Sequence, residues 1–375
     1  MKILFTGGAS GGHFYPIIAI AQALNKQIKE QKLYKTELFY MSTNPYNEGI
    51  LFENGIIFKK SPAGKQRIYF SFLNFLDIFK TAAGVLKALW MVFNIFPDVV
   101  FGKGGYASFP ALMAAKILRI PVVIHESDTT PGRVNKWASK FAKRIAISYP
   151  EAAQYFPKEK VALTGNPVRK EITEPQTSHA KEFFELEEEI PTILVLGGSQ
   201  GAEAINNIVV DSIGKLLDNY QIIHQTGERN FLGVKTATDV TLLDHPQKKR
   251  YKPFGYLDTL QLRMATGAAD IVISRAGSTI FEIASWGKPS IIIPITESND
   301  NHQRKNAFSF ARTGAAYVIE EKNLSTNIFL SEIDRIFSSP EQIKKMSEAA
   351  RTFFKPDAAE KIANEILSIA LRHQE

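Results

Sequence analysis

Two glycine-rich turns have the residue spacing most suited to chemistry in this chain of 375 residues. The first, GGASGGH at residues 7–13, follows the short apolar run 3–5. The second, GGSQGA at residues 197–202, follows the apolar run 193–196. A strand, a glycine turn and then a helix expose backbone N–H groups that bind anions such as phosphates. Two copies half a chain apart predict two similar domains, one for each half of a substrate pair.

The first turn ends in a histidine that is placed to act as a general base. His13 stands where a helix is expected to begin, and the imidazole ring titrates nearest neutral pH. The start of a helix favours the neutral, proton-accepting form of the ring. Two alternatives stay open: His13 only positions the acceptor while Glu126 or Asp128 is the base, or the glycines serve tight packing and His13 is a helix-cap residue. The spacing differs from the dinucleotide fingerprint G-x-G-x-x-G with its later acidic residue, so NAD binding is not favoured.

The second turn is followed by further groups that suit a nucleotide. Ser199 and the adjacent N–H groups can bind a phosphate, although a plain strand–helix connection is the alternative. Downstream, the junction SRAGSTIFE supplies Arg275 to neutralise a phosphate. Ser278 and Thr279 can cap the next helix and donate hydrogen bonds. Glu282 can accept from both hydroxyls of a ribose, and a capping-box carboxylate is its alternative role.

A polar loop at residues 299–306 adds amides, among them Gln303 and Asn306, that can bind sugar hydroxyls without charge. Such loops are often only solvated, so both interpretations stay open. The chain has no Asp-x-Asp motif and no cysteine. We therefore expect no metal, no cofactor and no thiolate chemistry. Helix N-termini and Arg275 can bind a phosphate group without a metal.

Alternating strands and helices must position these groups. Strands are predicted at residues 3–5, 37–41, 99–101, 122–125 and 144–147, then at 193–196, 222–225, 271–274 and 290–294, with a first helix at 16–29. Strands that alternate with helices form βαβ units and a parallel sheet. We expect an α/β protein with domains at 1–165 and 166–340, and C-terminal helices at 341–375 that pack back toward the first domain.

Charge is unevenly distributed along the chain. Residues 1–165 contain 21 Lys and Arg against 10 Asp and Glu, whereas the whole chain has a net charge of +7. The basic first half implies an anionic partner, which can be nucleic acid, an anionic membrane face or a phosphorylated substrate. No secretion leader follows Met1, and the longest uncharged apolar run has about ten residues. We therefore expect neither export nor a membrane span.

An aromatic segment at residues 68–96 stands apart from this pattern. Phe72, Phe75, Phe79 and Trp90 lie there among Leu, Ile and Val, with basic residues nearby. The segment is too apolar for a solvated helix pair and too short to cross a bilayer. An apolar face with a basic fringe, on the basic half of the chain, predicts docking onto an anionic membrane surface. The alternative is that these aromatic residues belong to the core.

Eight short motifs follow one another along the chain. They are GGxxGGH at the start, GKGGYAS at 102–108, HE at 125–126, NKW at 135–137, GNPVR at 165–169, GGSQGA, SRAGS with a later glutamate, and HQ with a later NA. Together they resemble the MurG family of bacterial peptidoglycan glycosyltransferases, over essentially the whole chain. The resemblance implies the GT-B fold, with two Rossmann-like doubly wound parallel-sheet domains facing each other across a cleft.

The resemblance also implies roles for single residues. For the donor UDP-N-acetylglucosamine it implicates Ser10, Gly11, Gly12, Asp128, Arg169, Ser199, Leu257, Glu282 and Gln303. For the acceptor it implicates Gly104, Gly105, Tyr106, His125 and Asn135. The chain departs from the family pattern at three positions. Ser127 and Asp128 stand where glutamine and asparagine are usual, and His302 replaces a second glutamine.

The activity that the resemblance implies is inverting transfer of N-acetylglucosamine to the 4-hydroxyl of MurNAc in undecaprenyl-pyrophosphoryl-MurNAc-pentapeptide (lipid I), which gives lipid II. The nucleotide sugar would bind the C-terminal domain and the lipid acceptor the N-terminal one. The expected location is the cytoplasmic face of the bacterial plasma membrane, as a peripheral protein with no nucleic-acid partner. Three alternatives stay open: a diacylglycerol glycosyltransferase, a UDP-N-acetylglucosamine 2-epimerase, and a nucleotide-sugar-binding membrane adaptor, against which His13, Arg275 and Glu282 argue.

Overall fold

The chain folds into two compact units. The computed structural model describes residues 1–8, 10–33, 35–64, 72–198, 201–296 and 301–374, and at 72–78 and 374 it describes the backbone alone. The first unit consists of Met1–Arg169 and Lys355–Glu375, and the second of Lys170–Phe354. The chain therefore leaves the first unit once and returns to it at its end.

The first unit is built on a parallel sheet of seven strands. They are β1 (Lys2–Thr6), β2 (Glu37–Ser42), β3 (Ile56–Lys60), β4 (Val99–Gly102), β5 (Val122–Glu126), β6 (Arg144–Ile147) and β7 (Val161–Leu163). The strand order is β3-β2-β1-β4-β5-β6-β7. The inner strands β4 and β5 are buried along their whole length, as expected for a parallel sheet covered on both faces.

Helices cover both faces of this sheet. They are α1 (Gly11–Glu30), α2 (Glu48–Glu53), α3 (Phe72–Ile95), α4 (Phe109–Ile117) and α5 (Arg133–Ala138). Side chains alternate across a strand, so Ile3 and Phe5 pack toward α1 while Leu4 packs toward α3 and α4. Helix α1 begins five residues before the predicted start at residue 16, and this places His13 in its first turn.

The second unit repeats the plan with six parallel strands. They are β8 (Thr192–Leu196), β9 (Gln221–Gln225), β10 (Tyr251–Phe254), β11 (Ile271–Ser274), β12 (Ser290–Ile292) and β13 (Ala316–Val318), in the order β10-β9-β8-β11-β12-β13. Its helices are α6 (Lys170–Thr173), α7 (Ala180–Phe183), α8 (Glu203–Asn219), α9 (Glu228–Thr241), α10 (Thr259–Ala268), α11 (Thr279–Trp286), α12 (His302–Ala311), α13 (Thr326–Phe337) and α14 (Pro340–Phe353). The last helix of the chain, α15 (Ala358–Gln374), belongs to the first unit.

The division of the chain differs from the predicted boundaries at 165 and 340. The predicted C-terminal segment 341–375 is split, because α14 packs against α11 in the second unit and only α15 packs against α1 in the first. The reason lies in the apolar residues: Ile362, Ile366 and Ala370 of α15 are buried beside α1, while Ala350 of α14 is buried in the core of the second unit.

The predicted α/β class with two doubly wound parallel sheets is confirmed. Within the part of the chain that the structure describes, no helix combines the length and apolar character needed to cross a bilayer.

Candidate functional site

Each sheet has a point where the strand order reverses, and both glycine turns lie there. In the first unit this point lies between β1 and β4, and in the second between β8 and β11. Doubly wound sheets bind ligands in the crevice outside the carboxyl ends of such strands. The turn after β1 and the turn after β8 are therefore both placed for ligand binding.

Two loops meet closely at the first of these points. The loop after β4 contains Gly105, whose φ of 79° favours glycine. A Cβ atom on Gly105 would lie 2.8 Å from the Cα of Gly8, and 3.4 Å from Nε2 of His13. Tyr106 follows, half-buried at the start of a short 3₁₀ helix. The structure thus brings the predicted acceptor loop against the first glycine turn and its histidine.

His13 is oriented by the residue that precedes its helix. The hydroxyl of Ser10 lies 2.8 Å from Nδ1 of His13, and Ser10 occupies the N-cap position of α1 without a side-chain capping bond. If Nδ1–H donates to that hydroxyl, Nε2 carries the lone pair of the neutral ring. Gly11 and Gly12 are the first residues of α1, and the side chain of Tyr46 packs against Gly11.

Glu126 uses its carboxylate to hold a loop. One oxygen accepts from the backbone N–H of Asp128 at 3.0 Å, and the other accepts from the N–H of Gly132 at 3.1 Å and from Nδ2 of Asn135 at 2.9 Å. Burial and the neighbouring Asp128 raise the pKa of Glu126 to about 7. Three donors thus occupy the carboxylate and tie it to the loop, and the catalytic role of Glu126 stays a prediction. Asp128 itself is half-buried on this loop.

Two residues that were predicted to bind the acceptor substrate are buried and form hydrogen bonds within the fold. His125 is fully buried and its Nε2 lies 3.0 Å from the carbonyl oxygen of Gly165. Burial, with the nearby Lys103, lowers its pKa well below the usual range, so the ring is neutral. Asn135 is 2% exposed, and its Nδ2 donates to the carbonyl of His125 as well as to Glu126. The contact of His125 and Asn135 with an acceptor stays a prediction.

Sequence reasoning missed two neighbours of this site. The guanidinium of Arg169, which is 8% exposed, stacks on the ring of Tyr15 at 4.0 Å, and Tyr15 carried no motif. Lys103 is 1% exposed at the end of β4, close to Gly7. A charged residue inside the glycine motif GKGGYAS was the signal that could have identified Lys103.

The second glycine turn is also fixed by close backbone packing. Gly198 and Gly201 both have positive φ, and a Cβ on Gly201 would lie 2.6 Å from the carbonyl oxygen of Thr226. Ser199 lies outside the described residues. Leu257 is buried, and its backbone N–H donates to Oε1 of Gln225 at 3.0 Å. Any backbone recognition of a base at Leu257 therefore falls to its carbonyl oxygen.

The residues after β11 form the other half of this site. Arg275 donates to the carbonyl of Ile293 at 3.1 Å and forms an ion pair with Glu321, a partner that the sequence did not indicate. Ser278 is the N-cap residue of α11, without a side-chain capping bond, and Thr279 begins the helix. Both are half-buried.

Two further residues that were predicted to bind the donor sugar nucleotide are half-buried in the second unit. Glu282 lies in the first turn of α11. Gln303, on α12, accepts from the N–H of Ile295 at 3.1 Å through its Oε1. That bond fixes the orientation of the amide group. Within the described residues, no group of three or more His, Asp or Glu side chains could hold a metal ion.

Helix α3 exposes an apolar stripe. Phe79, Leu86, Trp90 and Phe93 are between 60% and 69% exposed, whereas Val92 on the opposite side is buried against α4. The side chains of Phe72 and Phe75, which the sequence also predicted for this surface, lie outside the described residues. Contiguous exposed aromatic residues of this kind mark an interaction surface.

Comparison with known proteins decides the family. Residues 3–147 match the model of the glycosyltransferase family 28 N-terminal domain, and residues 192–362 match the C-terminal domain. The chain belongs to glycosyltransferase family 28. Each matched region contains one point where the strand order reverses, together with the glycine turn at that point.

Curated relatives of this family 28 chain share one name, UDP-N-acetylglucosamine–N-acetylmuramyl-(pentapeptide) pyrophosphoryl-undecaprenol N-acetylglucosamine transferase. The protein from Thermodesulfovibrio yellowstonii is 37% identical, with all of both chains covered, and that from Treponema denticola is 34% identical, covering 93% of this chain and 92% of the relative. The similarity to this transferase family is thus present along the whole chain.

Solved structures show the same fold. MurG from Acinetobacter baumannii superposes with a TM-score of 0.72 at 24% identity, covering 98% of this chain and 99% of the other. The S. aureus MnaA–UDP co-structure gives a TM-score of 0.72 at 15% identity, covering 98% of each chain. These likenesses support the GT-B architecture that the resemblance implied.

Proposed function

We propose that this chain transfers N-acetylglucosamine from UDP-N-acetylglucosamine to the 4-hydroxyl of MurNAc in undecaprenyl-pyrophosphoryl-MurNAc-pentapeptide, with inversion at the anomeric carbon. The observation that carries the proposal is that curated relatives bearing this name align with the chain from end to end. Support comes from the two sheet reversals, each of which presents a glycine turn at the carboxyl ends of its strands.

The second unit is the proposed donor site. The first backbone N–H groups of α8 and α11 have no partner within their own helices and carry partial positive charge, which suits the diphosphate of UDP. Arg275, oriented by its ion pair with Glu321, supplies further N–H donors for the negative charge that develops on the leaving group. Glu282 accepts from the ribose hydroxyls, Gln303 donates to the sugar, and the carbonyl of Leu257 accepts from uracil.

His13 is the proposed general base. As the 4-hydroxyl oxygen attacks the anomeric carbon, its proton passes to Nε2 of His13. The new carbon–oxygen bond forms while the bond to the β-phosphate breaks, and the electron pair leaves with UDP. The contact of Ser10 with Nδ1 sets the ring orientation and tautomer that this transfer needs. Gly105, which lies beside the ring, and the following residue Tyr106 would contact the acceptor.

Membrane docking completes the proposal. The acceptor is a lipid, so the enzyme must reach a bilayer from the cytoplasmic side. The exposed stripe of α3 offers Trp90 and Phe93 for insertion among the headgroups, and Lys80 and Lys87 lie exposed on the same helix for contact with anionic lipids. The net positive charge of residues 1–165 adds to this attraction.

One assay tests the transfer. The chain is incubated without metal, with labelled UDP-N-acetylglucosamine and a short-chain lipid I analogue, and the product is analysed for a β-1,4-linked disaccharide lipid. We expect that product to form. Transfer to diacylglycerol with none to the lipid I analogue, or conversion of the donor without an acceptor, would refute the proposal and favour the rival enzyme classes.

A further inference from the structure

A lysine ammonium is buried beside the first glycine turn without a hydrogen bond. Lys103 follows β4, is 1% exposed, and its backbone N–H donates to the carbonyl of Thr6 at 2.8 Å. Its Nζ atom has no hydrogen-bond partner among the described residues. A buried charge of this kind is strongly unfavourable unless opposite charges lie near it. Those opposite charges are found at the end of β5 and on the loop that follows it.

The carboxylates of Glu126 and Asp128 supply them. Burial lowers the pKa of Lys103 to about 8, although both carboxylates act to raise it. The Lys103 ammonium acts to lower the pKa of Glu126, whereas burial and the Asp128 carboxylate act to raise it. Other titratable groups lie around the cluster. His13 of α1 lies close to Gly7, as does Lys103. His125 is buried and neutral, and the charges of Asp128 and Glu151 both act on Tyr149.

The loop depends on the state of this cluster. Glu126 accepts three hydrogen bonds, two of them from the backbone of the loop that carries Asp128. A protonated Glu126 would turn one acceptor oxygen into a donor facing an N–H group, and that contact would be lost. A second carboxylate two residues away favours protonation, because like charges in a buried site disfavour joint ionisation. The ammonium of Lys103 opposes this effect.

We infer that Lys103 is a positioning residue, whose buried charge compensates Glu126 and Asp128 together and thereby holds the loop at residues 127–132 in the form that presents Asp128 to the substrate. The three residues form one electrostatic unit. The loss of the lysine charge is therefore harmful while Asp128 is ionised, and much less so when Asp128 is replaced by its neutral counterpart asparagine.

The first test follows the charge of Glu126 directly, with no need for activity. Protein containing ¹³C-labelled glutamate is titrated by NMR, and the Glu126 carboxyl signal is identified by its absence in E126Q. We expect the Glu126 titration midpoint to move up by about one pH unit in Lys103→Met, down in Asp128→Asn, and to lie between these values in the double variant. Lys158→Met, which removes an exposed lysine of the same unit, serves as the control and should not move the midpoint.

The second test uses turnover, and this part rests on the proposed function. A one-unit rise of the Glu126 midpoint leaves roughly five- to tenfold less ionised carboxylate near neutral pH. Lys103→Met should therefore lower kcat by that factor in the wild-type background, with the acidic limb of the pH profile moved to higher pH. The same substitution should change kcat by less than about twofold when Asp128→Asn is already present, as a double-mutant cycle requires for coupled residues.

Unchanged midpoints in both single variants would overturn the inference, and so would equal kcat losses in the two backgrounds. If Lys103→Met does not fold, the direction in which the Glu126 titration midpoint moves in Asp128→Asn still tests the inference. A midpoint that is unchanged or higher in that variant would contradict the electrostatic unit of three residues. A wild-type chain without transferase activity would refute the proposed function while the NMR titration still tested Lys103.

Discussion

Replacing Gly105 by alanine tests whether the two loops at the first sheet reversal act as one site. Gly105 has φ of 79° and ψ of 158°, a conformation that is nearly restricted to glycine. The added Cβ would lie 2.8 Å from the Cα of Gly8, whereas an ordinary contact begins at 3.4 Å. The backbone of the glycine turn therefore has to move by about 0.6 Å, and it carries His13 with it.

The size of the effect follows from these distances. The backbone conformation costs about 1–3 kcal/mol for a non-glycine residue, and overpacking against a backbone atom adds about 1–3 kcal/mol. For a unit of this size, the midpoint of thermal unfolding should fall on the order of 10 °C. Misplacement of a catalytic group by 1 Å lowers rates by about a hundredfold, so we expect kcat to fall roughly 10- to 100-fold.

Gly55→Ala is the matched control. Gly55 lies in the same unit with φ of 67°, and a Cβ there would meet nothing within 4 Å. It carries only the backbone strain of about 1–2 kcal/mol. Steady-state kinetics and UDP titration calorimetry of both variants separate the effects: Gly105→Ala should lose kcat with UDP affinity unchanged, and Gly55→Ala should keep both. Equal kcat in the two variants would refute the idea that the contact between the loops positions the histidine.

Four further outcomes are expected. His13→Ala should lower kcat by about 10²- to 10⁴-fold with unchanged UDP binding in calorimetry, and near-normal turnover would exclude it as the base. Glu282→Gln should raise the KM for UDP-N-acetylglucosamine about tenfold with a smaller effect on kcat, because it weakens a charge-assisted hydrogen bond. Trp90→Ser should lower sedimentation with anionic vesicles severalfold, whereas Phe52→Ser, which removes an 86% exposed ring from α2, should not. The raised pKa of Glu126 means that its contribution to stability, full below pH 4.5, is lost as the pH rises to about 7. The denaturant midpoint of the wild type should therefore fall over that interval more steeply than that of Glu126→Gln.

The sequence predicted the inner strands of both sheets and missed the outer ones. The predicted strand at residues 144–147 coincides with β6, and those at 122–125 and 271–274 match β5 and β11 to within a residue. The strands without a prediction are β3, β7, β10 and β13, which are the four edges of the two sheets. Their apolar runs are short: β7 has only the three residues VAL, and β3 continues from IIF into two lysines. Both strands are partly solvated, so neither needs the longer apolar run that marks a strand buried on both faces.

The motifs predicted which turns carry the candidate site residues, but not which of those residues make contacts within the fold. The glycine turns, His13 and Glu282 occur where the sequence predicted them, at the ends of strands and the starts of helices. The internal use of His125 depends on Gly165, forty residues away, and that of Arg275 on Glu321. No spacing rule connects such positions, because hydrogen-bond pairing of this range is set by the tertiary fold.

The charged side chains near the two sheet reversals differ in how deeply they are buried, and this difference fits the proposed roles of the two units. At the second, Arg275 is paired and Glu282 is only half-buried, so ligand charge is met by backbone groups and partly solvated side chains. At the first, Lys103 and Glu126 are almost completely buried. Buried ion clusters often contribute less stability than apolar residues of similar size. Lys103 lies close to the turn that precedes His13. The presence of this ion cluster is therefore explained better by the proposed chemistry than by folding, since fixed charges in a site of low dielectric constant act strongly on a proton that moves nearby. Binding of a diphosphate needs no such environment, because helix N-termini and partly solvated side chains can bind it.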